Sequence, residues 1–457
     1  MNVTQNLLRI KTGVEDNPIW RRFRRNISIS VAGSGLALVA KLAQTALLTR
    51  ELRIDDYGRV LIVLNLFVFL DSFFGLRVSD VMFRFFPALR EQADKRALKG
   101  LLVLCLGICL ASGLIIYGGV VILSPWLANR FYPNLELAPL FRIYGYTILF
   151  SSFSGVYEPV LRLHDRFTAI VAPQVLGSLV TLALLGIYFA TRSGTGVSST
   201  EGQSITAVVA AFAVGAFIQS AVPMIKALRL VRPFLSGVSI REGVQALAAH
   251  SRSITACLMN SNFSGYLKFA ISPGDVFLLG LFATPAQLAL YGLAKQLTAP
   301  LSFLQANIQT AITPEISSLV ARRKFAQLKR LLVRYLMLTF ALGSLLLVCA
   351  TVLGRWLVLQ FLAAEYLAAL PVFYLLIIAA WLMLALVVFR PLALNLDLLH
   401  WHNLALLVST LVVAGVIIAG KLNAMTMAYI QLAEVLILRS LFGAIVGSRL
   451  RRLAIKN

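Results

Sequence analysis

The chain alternates long apolar runs with short polar segments, and most of the runs are long enough to cross a membrane. A helix needs about 20 apolar residues to span the hydrocarbon core. The strands of a membrane barrel would be shorter and would alternate polar and apolar residues. The pattern therefore predicts an all-α, polytopic membrane protein of about twelve transmembrane helices. The predicted spans lie near 27–49, 59–82, 99–123, 138–161, 168–190, 205–227, 253–279, 290–313, 329–353, 369–391, 399–420 and 424–446.

The composition agrees with this pattern. Hydrophobic residues make up 59% of the 457 residues and charged residues only 13%, and the mean hydropathy is +0.83. These values are typical of polytopic membrane proteins. The first apolar run begins near Ile27 after a basic segment and is too long for the apolar region of a cleavable signal peptide. We therefore expect it to be the first transmembrane helix.

One stretch of the chain occurs twice. Residues 126–144 and 356–374 share seven identities in nineteen positions without a gap. The Tyr57-Gly58 pair recurs as Tyr291-Gly292, at nearly the same separation along the chain. The shared order and spacing indicate a duplication in which each copy makes up about half of the chain. The alternative is a coincidental similarity between apolar helices.

The duplication predicts how the chain is divided. We expect a basic head at 1–26, a six-helix lobe at 27–227, a linker at 228–251, a second six-helix lobe at 252–446 and a basic tail at 447–457. An even number of spans in each half makes the halves parallel repeats. Such repeats are related by an axis along the membrane normal and bind substrate between them.

The charged residues predict the orientation. The net charge is +23, and 27 Lys and Arg lie in segments assigned to one side against seven on the other. Because basic residues favour cytoplasmic loops, both termini are predicted to be cytoplasmic, in the cell inner membrane. Membrane insertion explains this charge better than nucleic-acid binding does, and the excess would also attract anionic membrane lipids.

Polar residues recur on single faces of four predicted spans, which are the first, second, seventh and eighth. Residues three, four or seven apart share one face of a helix. The alternative is interhelical hydrogen bonding that only stabilises the bundle. Because ionised side chains are costly within a membrane, we expect these faces to line a central polar cavity. The four faces carry Ser30, Ser34, Lys41 and Thr45; Asn65, Ser72 and Ser79; Ser261, Ser264, Lys268, Ser272 and Asp275; and Lys295, Thr298, Ser302, Gln305, Gln309 and Thr313.

Among the charged residues within the predicted spans, cations outnumber anions, which predicts an anionic substrate. The predicted diphosphate-binding residues are Lys41, Lys268, Lys295, Arg77 and Arg84, and the predicted sugar-facing residues are Thr298, Ser302, Gln305 and Gln309. Asp71, Asp80 and Asp275 are candidates for ion coupling. Lys41 and Asp275 occupy equivalent places in the two halves. They are candidates to meet across the cavity or to take part in an ion-coupling step.

The sequence gives little support to catalysis or to the binding of nucleotides or metal ions. No loop exceeds about 30 residues, which leaves no room for a nucleotide-binding or catalytic domain, and no P-loop motif is present. The four cysteines lie in apolar runs, and His400 and His402 stand two apart on a helix with no further ligand beside them. The sequence therefore predicts a transporter with no catalytic residues, no metal site and no cofactor.

With these features, the chain resembles the O-antigen and exopolysaccharide repeat-unit flippases (Wzx-type) of the multidrug/oligosaccharidyl-lipid/polysaccharide (MOP) exporter superfamily. The resemblance rests on the basic head leading into Asn26, the Asp56-Tyr57-Gly58 turn, Gly75, residues 291–294 and Pro314. It implies two six-helix lobes of the MATE/MOP-like kind around a cationic cavity, alternating access, and a polyprenyl-diphosphate-linked oligosaccharide as cargo. Polysaccharide polymerases and glycosyltransferases are the protein partners that such a role would imply.

Two other functions remain open at this stage. A drug or metabolite exporter of the multidrug-extrusion type would share the architecture, but cationic drugs favour acidic cavities. A membrane-embedded polysaccharide polymerase or ligase would need a sizeable external loop, and the predicted outer loops near 124–137 and 191–204 are short. The sequence does not specify the sugar repeat unit, the driving force, the resting state or the oligomeric state.

Overall fold

A computed structural model describes residues 18–92, 94–131, 138–195, 201–235, 239–269, 274–321, 324–388, 392 and 422–437, with a few single positions between 404 and 419. The predicted tail, residues 1–17 of the head and most of the span at 399–420 lie outside the described residues. Within these ranges the chain is helical, and it contains no strand. The prediction of an all-α polytopic membrane fold is confirmed.

The first half of the described chain contains nine helices. They are α1 (Pro18–Glu51), α2 (Ile54–Phe74), α3 (Val78–Glu91), α4 (Lys95–Phe131), α5 (Ala138–Gly145), α6 (Ile148–Ser151), α7 (Ser154–Leu163), α8 (Thr168–Thr195) and α9 (Glu201–Leu235).

The rest of the described chain adds seven helices and two short 3-10 segments. The helices are α10 (Ile240–Leu247), α11 (Ser251–Phe269), α12 (Asp275–Phe282), α13 (Pro285–Ala321), α14 (Phe325–Phe361), α15 (Leu370–Ala385) and α16 (Ala424–Ile437). The 3-10 segments are Ala248–His250 and Ala364–Ala369.

Six helices of the described chain are long and apolar enough to cross a membrane. They are Ser28–Glu51, Lys95–Asn129, Thr168–Arg192, Gln203–Phe234, Ala326–Phe361 and Ala364–Ala385. Helix α13 is also 37 residues long, but its polar residues lower its hydropathy. Helices α4 and α14 both have 37 residues, and they lie as far apart along the chain as the repeated stretches 126–144 and 356–374 do.

The predicted second span is broken in the structure. Helix α2 ends at Phe74 and α3 begins at Val78, because Gly75 leaves the helical region with φ −70° and ψ 94°. The fourth span is likewise divided into α5, α6 and α7. The seventh span is divided into α11 and α12, with residues 270–273 between them outside the described set. The sequence predicted each of these stretches as one span. The second is interrupted after Phe74, whereas at the interruptions of the fourth Thr147, Ser152 and Phe153 keep helical dihedral angles.

The two ends of the bundle differ in their charge. We call the end with the connections near 92–94, 164–167, 235–251 and 321–325 the basic end. The end with the connections near 52–53, 282–285 and 361–364 is the opposite end. Long helices run between these ends, because each successive connection changes side.

Apolar packing joins the two halves mainly at the opposite end. One large cluster contains Tyr57, Tyr291 and Tyr366, which are all fully buried and come from both halves. At the basic end the apolar side chains form two separate clusters. One contains Phe86, Leu101 and the start of α11, and the other contains residues of α13, α14 and the segment after α15. Among the described residues, the largest apolar contact between the halves therefore lies at the opposite end, and at the basic end the start of α11 brings second-half residues against the first half.

The predicted linker at 228–251 is mostly helical. It contains the end of α9, the whole of α10 and the following 3-10 turn. Helix α10 begins with a capping residue, because the Ser239 Oγ accepts a hydrogen bond from the Glu242 backbone N–H at 3.1 Å. It packs on α4 of the first half. The division into two six-helix lobes stays a prediction.

Candidate functional site

A partly buried ion pair joins two helices of the second half. The Lys295 Nζ atom lies 2.5 Å from Oδ1 and 2.6 Å from Oδ2 of Asp275. The Tyr291 hydroxyl donates to Asp275 Oδ2 at 2.7 Å, and Gln431 Nε2 donates to the same oxygen at 3.2 Å. Asp275 therefore accepts hydrogen bonds from three side chains.

Local sequence explains how these groups meet. Asp275 is the first residue of α12, where the unpaired backbone N–H groups and the helix dipole favour a carboxylate. Tyr291 and Lys295 stand four residues apart on α13, so they share one face of that helix. Gln431 is contributed by α16, which lies 156 residues further along the chain than Asp275. Three helices therefore meet at one carboxylate.

The two partners of the ion pair differ in their environment. The Asp275 side chain is 1% exposed, whereas the Lys295 side chain is 36% exposed. A buried carboxylate is tolerated only when it is paired and hydrogen-bonded, and Asp275 meets that condition here. Lys295 thus connects a buried anion to a more open space beside α13.

Lys41 lies at a similar depth on the neighbouring helix. Helices α1 and α13 pack together, and Gly35 lies opposite Phe303. A Cβ atom placed on Gly35 would lie 3.9 Å from the Phe303 Cζ. Lys41 lies six residues from Gly35 and Lys295 lies eight residues from Phe303, both toward the opposite end. With a rise of about 1.5 Å per residue, the two lysines are within roughly 3 Å in depth. Lys41 is exposed, and no ion pair of it occurs among the described residues.

The remaining polar residues of α13 differ in exposure. Thr298 is 6% exposed, and its hydroxyl donates to the Lys295 backbone carbonyl at 2.8 Å. Ser302 is exposed, and Gln305 and Gln309 are half-buried. Thr298 therefore hydrogen-bonds within its own helix, while the other three residues lie closer to open space. Their predicted contact with sugar stays a prediction.

The other predicted site residues do not join the ion pair. Arg77 lies between α2 and α3, and the Arg84 guanidinium lies 5.4 Å from the ring centroid of the adjacent Phe85. Asp71 and Asp80 are half-buried. The backbone of Lys268 is in α11, but its side chain lies outside the described residues. A meeting of Lys41 with Asp275 was one of two possibilities that the sequence left open, and in the structure Asp275 is paired with Lys295.

The break between α2 and α3 is stabilised by two side chains that the sequence analysis did not single out. The Ser112 hydroxyl donates to the Phe74 carbonyl at 2.8 Å, and the Arg77 backbone N–H donates to the Asn262 Oδ1 at 3.1 Å. A broken helix within a membrane needs such partners for its freed backbone groups. Asn262 belongs to the second half, so this hydrogen bond also links the halves.

Comparison with known proteins identifies the family. A family model described as "Polysaccharide biosynthesis protein" matches residues 47–371. This is more than half of the chain, and the chain therefore belongs to that family. No curated protein sequence matches the chain significantly.

Solved structures of the MOP superfamily share the fold. An inward-facing multidrug resistance MATE transporter aligns with a TM-score of 0.66 at 13% identity and covers 92% of this chain and 95% of its own. A MOP transporter from Pyrococcus furiosus aligns with a TM-score of 0.64 at 13% identity, over 95% and 96% of the two chains. The lipid II flippase MurJ, in an inward closed conformation, aligns with 0.62 at 13% identity, over 93% and 91%.

The chain is thus a member of the polysaccharide biosynthesis family, and it shares the fold of the MOP transporters. The solved neighbours with this fold are multidrug transporters and a flippase. The resemblance predicted from the sequence is confirmed at this level. The matched family also agrees with the predicted link to polysaccharide biosynthesis.

Proposed function

We propose that this protein moves a polyprenyl-diphosphate-linked oligosaccharide from the cytoplasmic to the outer leaflet of the cell inner membrane, for O-antigen or exopolysaccharide synthesis. The observation that carries this proposal is the placement of two cations, Lys41 and Lys295, at similar depth on the packed helices α1 and α13. Both side chains are accessible, since Lys41 is exposed and Lys295 is 36% exposed.

The chemistry of a diphosphate suits this pair of lysines. Moving a doubly charged head group through hydrocarbon is prohibitive unless opposite charges accompany it. Lysine supplies a mobile point charge, which allows both binding and release. Ser302, Gln305 and Gln309 follow Lys295 along the same helix and offer hydrogen bonds to sugar hydroxyls, while the polyprenyl tail stays in lipid. Arg77, Arg84 and Lys268 complete the cationic set that we assign to the diphosphate.

The contacts between the halves support an alternating-access cycle. The largest apolar cluster joins the halves at the opposite end, while at the basic end the described residues form two separate clusters, and only the start of α11 packs there on the first half. With the basic end in the cytoplasm, together with both termini, this arrangement suits uptake of substrate from the inner leaflet. Movement of one half against the other would then expose the site outward. Glycosyltransferases would supply the substrate, and a polymerase would consume it.

The matched family favours this cargo over a drug. Its description is polysaccharide biosynthesis, and one structural neighbour is a flippase of lipid II, which that protein's name gives as its substrate. For the Pyrococcus furiosus neighbour, reversed polarity of the binding pocket suggests a function different from that of its relatives. The site that we propose in this chain is cationic, although the fold is shared with multidrug transporters.

Export of surface polysaccharide tests the proposal. Cells lacking this protein are complemented with wild type or with Lys41→Ala, Lys41→Arg, Lys295→Ala or Lys295→Arg at matched membrane expression. We expect both alanine variants to lower export strongly and the arginine variants to retain more of it, because arginine keeps the charge. Lys329→Ala, an exposed lysine near the basic end of α14, is the matched control. Full export by both alanine variants would refute the proposed site.

A further inference from the structure

We propose that binding of the diphosphate draws the Lys295 ammonium away from Asp275 and that Asp275 takes up one proton in its place, so that substrate and proton are bound together. This inference rests on the proposed function, because it requires Lys295 to contact an anionic substrate. It adds a coupled ion to the transport step and assigns its binding site.

The geometry makes the two roles of Lys295 mutually exclusive. The ammonium lies 2.5 and 2.6 Å from the two carboxylate oxygens, so its charge is committed to Asp275. Its side chain is long, carries several rotatable bonds and is 36% exposed, which leaves room to turn toward a bound anion. Once it turns, the remaining donors to Asp275 are the neutral groups of Tyr291 and Gln431.

A carboxylate left in that position has no other cation to replace the ammonium among the described groups that face it. From α13 it faces Tyr291, and from α16 it faces the Gln431 amide. Glu434 of α16 is a further acidic residue near Tyr291. The contacts of α2 with α12 include those of the apolar side chains of Ile62 and Phe69.

Of the three acidic residues of α2, Asp55 and Asp56 lie in its first turn, at the opposite end. Asp71 lies near Cys109 and Tyr157, which belong to the first half. The Asp275 side chain is 1% exposed, and Phe277 of the same helix packs on Phe69, with ring centroids 4.2 Å apart. An unpaired buried carboxylate is strongly disfavoured and is neutralised by a proton instead.

The charge balance of the cycle follows directly. The Lys295 ammonium keeps its proton and exchanges one anion, the carboxylate, for another, the diphosphate. One proton passes from water to the Asp275 carboxylate when the substrate binds, and it returns to water when the substrate leaves and the ion pair forms again. Each translocated diphosphate therefore carries one negative charge less across the membrane than it would alone.

Calorimetry measures the coupled proton directly. Purified full-length protein in detergent is titrated with polyprenyl diphosphate in buffers of equal pH but different ionisation enthalpy. The number of protons taken up is the slope of the observed enthalpy against the buffer enthalpy. We expect the wild type to take up about one proton more per bound diphosphate than Asp275→Asn does, a difference that removes any contribution from the diphosphate itself. We also expect Asp275→Asn to bind at least as tightly, because Lys295 is no longer shared.

The wild type alone keeps the test decisive if Asp275→Asn does not fold. Titrations in sodium and in choline salts distinguish a proton from a metal cation at Asp275. Binding to the wild type with no proton uptake, or with a sodium requirement in its place, overturns this inference and leaves the proposed function standing. Absence of any binding of the diphosphate to the wild type contradicts the proposed function, and this inference with it.

Discussion

A Cβ atom on Gly58 would lie 2.1 Å from the backbone carbonyl oxygen of Pro285, so the backbones of α2 and α13 touch at the opposite end of the bundle. Nearby, a Cβ on Gly292 would lie 2.5 Å from the Leu61 Cδ1. The two glycines belong to the repeated Tyr-Gly pairs, one in each half. Equivalent residues of the duplicated halves therefore take part in the close contact between them.

Replacing Gly58 by valine is expected to force the opposite end apart. The new side chain overlaps backbone atoms of Pro285, which cannot move aside as a flexible side chain would. Overpacking of this kind costs about 1–3 kcal/mol. Each 1.4 kcal/mol changes the ratio of conformations closed and open at this end about tenfold. Spin labels at the exposed residues Glu51 and Ala364 report the distance between the two halves at this end. We expect that distance to increase.

The matched control is Gly119→Val in α4. A Cβ on Gly119 meets nothing within 4 Å, so the same substitution introduces no overlap there. The distance between the labels should stay at its wild-type value in this variant. An unchanged distance in Gly58→Val as well would show that the contact between α2 and α13 does not hold this end closed.

The sequence predicted well those features that depend on local periodicity. Lys41 and Lys295, which the polar faces of the first and eighth spans singled out, lie on helices α1 and α13, and these helices pack together. Residues three and four apart share a helix face in any context, but the joint role of the two lysines stays a prediction. Helices α4 and α14 are equal in length and lie at corresponding places in the two copies, in agreement with the repeat found within the sequence.

Partners that lie far apart in the chain could not be predicted in this way. Asp275, at the start of α12, pairs with Lys295 of the next helix. The sequence analysis did not name this pair; it left open that Asp275 meets Lys41 or takes part in ion coupling. Gln431 joins the site from 156 residues away. The break after Phe74 likewise depends on Ser112 and Asn262, whose hydrogen bonds arise only after the helices pack.

Removing the side chain of Asn262 is expected to destabilise the break between α2 and α3. Asn262→Ala leaves the Arg77 backbone N–H without the Oδ1 acceptor, which lies 3.1 Å away. This hydrogen bond is partly buried, and the loss of a typical hydrogen bond costs about 0.5–1.5 kcal/mol. The free energy of unfolding, measured by titration with a denaturing detergent, should fall by a similar amount.

Asn307→Ala is the control for this prediction. The Asn307 side chain donates to the Phe303 carbonyl of its own helix at 2.8 Å, so its removal frees no backbone group of another helix. We expect a smaller loss of stability in this variant. Equal losses in the two variants would mean that the hydrogen bond between Asn262 and Arg77 contributes nothing of its own.

The linker helix α10 is held on α4 by a contact between Gly100 and Gly243. A Cβ on Gly100 would lie 2.1 Å from the Gly243 carbonyl oxygen. The ion pair between Arg96 and Glu242 spans 3.8 Å, and both side chains are more than half exposed, so it contributes little. Gly100→Ala should therefore displace α10 and increase amide hydrogen exchange at 240–247 by about tenfold or more, since the overlap costs about 1–3 kcal/mol. Gly107→Ala, in the same helix with nothing within 4 Å of its Cβ, should leave exchange unchanged. Equal exchange in the two variants would show that α10 is held by other contacts.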